Sequence, residues 1–166
     1  MITHKKSQAW GMDISIAMII FSIGFIVLMI YSTNNSDDAK EKLENLQFDG
    51  EFLMNNLFSS GYPIDWNSSN LITIGIMDNG KINETKLKIF YELANNDYNR
   101  TKTLFNTRYD YYFFFSENIT INLVNIKGIG KPGFDKNDIH ADNLIKITRF
   151  TIYQEKPINA YLYIMG

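Results

Sequence analysis

Residues 14–31 read ISIAMIIFSIGFIVLMIY, from Ile14 to Tyr31. The run holds no charged residue, and its polar members are Ser15, Ser22 and the terminal Tyr31. At about 1.5 Å of rise per residue, a helix of this length spans about 27 Å, close to the hydrocarbon thickness of a bilayer. In lipid such a segment has to be helical, because only a helix satisfies every backbone donor and acceptor within itself. The alternatives are a buried helix in a soluble core and a secretory signal peptide. The first does not suit a run that is apolar on every face and this long. The second calls for small residues at a cleavage site, whereas Ser32-Thr33-Asn34-Asn35-Ser36 follows and contains no A-x-A pattern. The flanks then set the direction. His4, Lys5 and Lys6 precede the run and Asp37 and Asp38 follow it, so the positive-inside rule keeps the N-terminus in the cytoplasm. The rest of the chain is expected outside the cell.

Composition narrows what that remainder can do. The chain has 166 residues, a net charge of -2 and no cysteine. No clustered basic surface recommends a nucleic-acid partner. An exported domain without disulfides has to hold together by core packing alone. Without cysteine no Cys/His zinc set and no thiol nucleophile can form. The two histidines are His4 and His140; a serine triad would have to rest on His140 in an expected loop, and no G-x-S-x-G sequence accompanies it. We expect neither an enzyme nor a cofactor.

Beyond the apolar run a second pattern begins. Ala39, Leu43, Leu46, Gly50, Leu53 and Leu57 recur at steps of three and four, a single stripe along one helix face. Lys40, Glu41, Glu44 and Glu51 lie off it. This helix is expected to end by Ser59-Ser60-Gly61, with Pro63 just beyond, and to bend near Asn34-Asn35 or Gly50. Residues 71–76 are read as a short strand, and Asp78-Asn79-Gly80 as a turn. Residues 84–94 and 97–105 read as two short helices. Residues 108–115, dense in Tyr and Phe, and the alternating 119–126 read as strands, and 144–154 and 158–164 as a hairpin turning at Glu155-Lys156-Pro157. The aromatic strands are apolar on both faces; one face should meet the amphipathic helix, the other a neighbouring subunit or the two short helices. The expected fold class is α+β, with a long N-terminal helix, half transmembrane and half amphipathic, packed on an antiparallel sheet of about four strands.

The segment KKSQAWGMDISIAMIIFSIGFIVLMI resembles the class III signal sequence of archaeal type IV pilins and pilin-like proteins. A looser likeness runs through 61–115, in the order YP-DW, strand, turn, helix, YNRTK, strand. In that family a prepilin peptidase cuts on the cytoplasmic side, after a small residue preceded by basic ones, and the apolar helix stays on the mature chain. Carried over, the resemblance places the cut between Ser7 and Gln8, with Lys5 and Lys6 as recognition and topology residues. The family has Gly or Ala before the cut and an acidic residue fifth in the mature chain; this chain has Ser7, and Asp13 would be sixth. The resemblance implies a leader (residues 1–7), a filament-core helix (8–31), an amphipathic helix (32–60) and an extracellular head (61–166). It also implies partners: copies of the chain or other pilins, the prepilin peptidase, a membrane platform with its ATPase, and the bilayer before assembly. Asp13 would meet the new N-terminal amine of a neighbouring subunit, or else simply cap its helix at the interface. The implied function is structural, in adhesion, surface contact or motility.

Other motifs carry less. Five N-x-S/T sequons begin at Asn34, Asn67, Asn83, Asn99 and Asn118, all past the membrane run, and so are candidates for N-glycosylation. Asp135, Asn137, Asp138 and Asp142, with His140, make an oxygen-rich loop open to a Ca²⁺ reading, though without EF-hand spacing. Residues 127–133 (KGIGKPG) read as a flexible loop rather than a phosphate loop, since Pro132 stands where a Ser or Thr belongs. Gly24 is either a close-approach point or a neutral membrane residue. The competing functional reading is an unprocessed anchored ectodomain that binds a ligand through Tyr62, Trp66, Tyr111 and Tyr112.

Overall fold

The computed structural model describes the backbone of residues 5–137 and 141–166, and the side chains of 11–32, 40–137 and 141–166. The chain is α+β and falls into two compact units, Met1–Lys42 and Leu43–Gly166. Helix α1 (Lys5–Leu57) continues from the first unit into the second, and stays helical through Asn34-Asn35 and Gly50.

Within the first unit, the segment Gly11–Ser32 is 22 residues long and apolar enough to cross a membrane, and none of its side chains is buried. Two of its serines, Ser15 and Ser22, bond within the helix. The hydroxyls of Ser15 and Ser22 donate to the carbonyls of Gly11 and Met18, at 2.9 and 2.8 Å, so neither offers a free donor to an apolar surrounding.

The second unit begins with the end of α1 and continues through β1 (Met77–Asp78), β2 (Lys81–Ile82), α2 (Glu84–Asn96), α3 (Tyr98–Leu104), β3 (Asp110–Phe115), β4 (Ile119–Ile121), β5 (Val124–Ile126), β6 (Ile129–Gly130), β7 (Leu144–Tyr153) and β8 (Lys156–Met165). Strands β6-β3-β8-β7, in that order, form one antiparallel sheet; β1-β2 and β4-β5 are small ribbons. The polar ends of the helices explain their limits. Asn83 caps α2 by accepting from the Lys86 amide at 3.1 Å. Asp97 closes α2 through its own N–H to Leu93 and opens α3 by accepting from the Arg100 amide.

Period-two alternation sorts the sheet into two faces. Tyr111, Phe113 and Phe115 of β3 pair with Ile164, Leu162 and Ala160 of β8, and all six are buried on the inner face. Against them lies α1, through Leu46, Leu53, Met54 and Leu57, all fully buried. Gly50 fixes how closely the helix approaches. A Cβ there would lie 2.6 Å from Ile147 Cδ1 and 3.0 Å from Ile164 Cγ2, so a larger residue would have to push those side chains aside. The glycine permits that close approach. Helices α2 and α3 join the same inner face, not the outer one. Phe105 meets Phe90 and Tyr111 edge-on, at 5.8 and 5.4 Å between ring centroids.

Four expected elements differ. The β7-β8 turn falls at Gln154-Glu155, both at positive φ, rather than at Glu155-Lys156-Pro157, because Lys156 and Pro157 already pair with Tyr153 and Ile152. Residues 71–76 are not a strand, apart from an isolated bridge between Tyr62 and Thr73. Their neighbour is the end of α1: the amides of Ile76 and Met77 donate to Leu57 and Ser59, at 2.8 and 2.9 Å, and so satisfy carbonyls that the helix end leaves open. Residues 119–126 are two strands instead of one, folded back at Asn122 and Leu123, whose φ angles of 47° and 68° make a tight hairpin turn. The 127–133 segment is not only a loop. Its centre forms β6, and Tyr112 and Phe113 pair with Gly130 and Ile129.

One polar cluster ties α3, β3 and the β6 loop together. Asp110 accepts from Lys102 at 3.0 Å and from the Tyr98 hydroxyl at 3.2 Å through one oxygen, and pairs with Lys131 at 2.9 Å through the other. Partial burial opposes its charge, but the two lysines outweigh that and hold the carboxyl below the usual carboxylate range. A depressed folded-state pKa stabilises above the unfolded value of about 4 and is lost as pH falls through the folded one. Asp110→Asn is therefore expected to cost about 1 kcal/mol near neutral pH, after allowing for solvent screening. In urea titrations at several pH values, the difference from the parent chain should shrink below about pH 4.

Candidate functional site

The features that bear on function are a surface helix, a set of exposed asparagines and two aromatic faces. On α1, Asp13 precedes the apolar run and is exposed. Lys5, Lys6, Ser7 and Gln8 are helical in backbone, and their side chains lie outside the described residues, as does that of Asn34.

The remaining sequons fall in different settings. Asn67 is exposed in an Asx turn, its Oδ1 accepting from the Ser69 amide at 2.9 Å. Asn118 is exposed between β3 and β4, and Thr120 of the same sequon is exposed too. Asn83 is half-buried and engaged as the cap of α2. Asn99 is exposed but sits within α3, and its sequon threonine, Thr101, is fully buried. The Thr101 hydroxyl donates to the Tyr98 carbonyl at 2.6 Å and accepts from the Tyr111 hydroxyl at 2.5 Å. Burial pushes the Tyr111 hydroxyl pKa well up, which keeps it a proton donor to Thr101.

Among the described residues no group of three acidic or histidine side chains is placed to hold a metal ion. Asp135 spends one oxygen on the amide and side-chain nitrogen of Asn137, at 2.9 and 3.0 Å. Asp142 is described without joining them, and Asp138 and His140 lie outside the described residues. The aromatic binding candidates divide in the same way. Trp66 is 2% exposed, with its indole N–H donating to the Gly75 carbonyl at 2.9 Å, and Tyr111 is fully buried. Both are core residues; Tyr62 is exposed and Tyr112 half-buried.

A polar cleft of about 640 Å³ runs between the α1 residues Asn45 and Asp49 and the α3 side, with Lys102, Thr107 and Arg108 among its walls. Thr107 donates to Asp49 at 3.0 Å, and the Arg108 guanidinium stacks on the Tyr109 ring at 5.0 Å.

Two features have no counterpart in the stripe read from the sequence. Phe48 and Phe52 are exposed on α1, on the side away from Leu46 and Gly50. The outer face of the sheet carries Tyr112, Phe114, Tyr161 and Tyr163, ring against ring at 5.0 to 5.9 Å. Phe134 closes over one end of this row, 4.9 Å from Tyr112.

Comparison of the chain with protein-family models, with curated proteins and with solved structures finds no match.

Glycan transfer to the folded second unit is expected at Asn67 and Asn118, where the acceptor and the hydroxyl residue of the sequon are both accessible, and not at Asn83 or Asn99. Intact-mass spectra of single Asn→Gln variants check this. Loss of a glycan mass step on Asn99→Gln, with none on Asn118→Gln, would show that folded-state access does not govern modification.

Proposed function

We propose that the protein is a structural subunit, major or minor, of an extracellular filament of the type IV pilus kind. The observation that carries this reading is the exposed 22-residue apolar segment Gly11–Ser32, built into the same helix whose other end packs in the core of the second unit. Such a segment has a lipid state and an assembled state available to it, and both keep it out of water. The basic residues Lys5 and Lys6 hold the N-terminus in the cytoplasm and present the cut between Ser7 and Gln8 to a prepilin peptidase. Cleavage leaves a free amine close to Asp13.

Assembly then moves the helix from the bilayer into a bundle of copies. Lipid is as apolar as the helix, so hydrophobicity contributes little to the transfer, and packing and polar pairing have to decide it. Asp13 supplies one such pairing: in a dry bundle its carboxylate needs a cation, and the new amine of a neighbouring subunit is the one on offer. An assembly platform with an ATPase supplies the direction. The second unit remains outside the cell as the surface of the filament, in adhesion, surface contact or motility.

The test is the intact mass and N-terminal sequence of the protein taken from its native membrane or cell surface. The expected chain begins at Gln8, and a bulky replacement such as Ser7→Phe leaves it uncut and abolishes filaments. A native chain that still begins at Met1 would instead favour an unprocessed, single-pass anchored binding domain.

A further inference from the structure

We propose that the second unit carries two unlike aromatic faces, on opposite sides, that dock on each other head to tail between copies of the chain. This rests on the filament reading above and names the contact between the outer parts of its subunits.

The first face belongs to α1. Phe48 and Phe52 stand one turn apart and are 72% and 48% exposed. Leu46, Gly50, Leu53 and Leu57 turn the opposite side of the same helix into the sheet, so these two phenylalanines point away from the core. Glu44 and Glu51 flank them, and Glu51 also reaches Arg149 of β7 at 2.6 Å.

The second face is the outer side of the sheet. Phe150 is 81% exposed and Ile152 is 41% exposed. The register places Tyr161 opposite Thr148, and hence diagonally between Phe150 and Lys146. The Lys146 ammonium sits over Tyr161 at 4.1 Å and Tyr163 at 5.9 Å from the ring centroids, and Lys136 over Phe114 at 5.2 Å. Among the described residues neither lysine forms a salt bridge. Phe134 covers the Tyr112 and Tyr163 end of the row and leaves the Phe150, Ile152 and Tyr161 end open.

One face is therefore aromatic with acidic neighbours and the other aromatic with basic ones. Their composition makes them complementary to each other rather than each to itself. They lie on the two outer sides of a helix-on-sheet layer, so a copy docked by one face presents the other outward. Contacts of this heterologous kind do not close in pairs; they continue as rings or open helical arrays. Scattered single apolar residues need no explanation, but two aromatic patches flanked by opposite charges do.

The chain has no cysteine, which permits a direct test in the full-length protein in its native membrane and filaments. Phe52→Cys and Phe150→Cys are both at exposed positions, and a flexible bis-maleimide reports their proximity. The double variant should give a ladder of cross-linked multimers, and co-expression of the two single variants should give dimers. Neither single variant alone should cross-link. Lys146→Glu, which sets an acidic residue against the acidic flank of the first face, should weaken the ladder.

Dimers from either single variant alone would show a self-complementary face and overturn the head-to-tail proposal. Filaments visible by electron microscopy without a ladder would overturn this contact and leave the filament reading standing. A ladder from chains that still begin at Met1 and form no filaments would do the reverse. Absence of both would overturn both.

Discussion

A helix that is apolar on all sides and unburied over Gly11–Ser32 cannot be left in water, and this constraint governs how the protein can exist. Burying one Ile, Leu or Phe side chain is worth about 1.5–3 kcal/mol. A whole helix of them exposed to water would cost more than the net stability of about 5–15 kcal/mol that an ordinary domain has to spend. Lipid or a bundle of other helices would keep the segment out of water. Ser15 and Ser22 agree with that demand, since they bond back to their own helix at Gly11 and Met18 and bring no unsatisfied hydroxyl. On the proposed filament reading, an anchored state and an assembled state would both meet this requirement, and transfer between them would leave the hydrophobic term nearly unchanged.

From Leu43 onward the same helix obeys a different rule. One face is closed by Leu46, Leu53, Met54 and Leu57, and at Gly50 the backbone comes close enough to Ile147 and Ile164 that a larger residue would displace their side chains. The layer this creates is further tied at the edges. Arg149 links β7 to Glu51, the 76–77 amides occupy the open carbonyls at the helix end, and Asp110 gathers lysines from α3 and the β6 loop. Without disulfides, this packing and these polar ties hold the unit together.

Much of this was legible in the sequence, because its strongest signals are periodic. The unbroken apolar run, the stripe ending at Leu57, the two short helices and the β7-β8 hairpin all follow from residue spacing over long windows. The misreadings share a different origin. Residues 71–76 look like a strand because they are apolar, yet their backbone bonds go to the end of α1, a tertiary fact that no local pattern carries. The hairpin inside 119–126 depends on Asn122 and Leu123 at positive φ, and an exposed leucine is a poor signal for such a turn. Strand β6 exists because the edge of β3 was open to it. Trp66 and Tyr111 looked available for binding, whereas their polar atoms are satisfied inside the core by Gly75 and Thr101. Phe48 and Phe52 were readable as an i, i+4 pair opposite the stripe, and the alternation of β8 places Tyr161 and Tyr163 on the outer face. Recognising those two faces as a pair needed the layers in place.

Protease added to intact cells tests most directly the claim that Gly11–Ser32 spans the membrane with the second unit outside. The account predicts that fragments of the second unit are released by protease acting from outside, while an epitope at the extreme N-terminus is reached only after the cells are opened. Protection of the second unit in intact cells, with cleavage only after lysis, would contradict it.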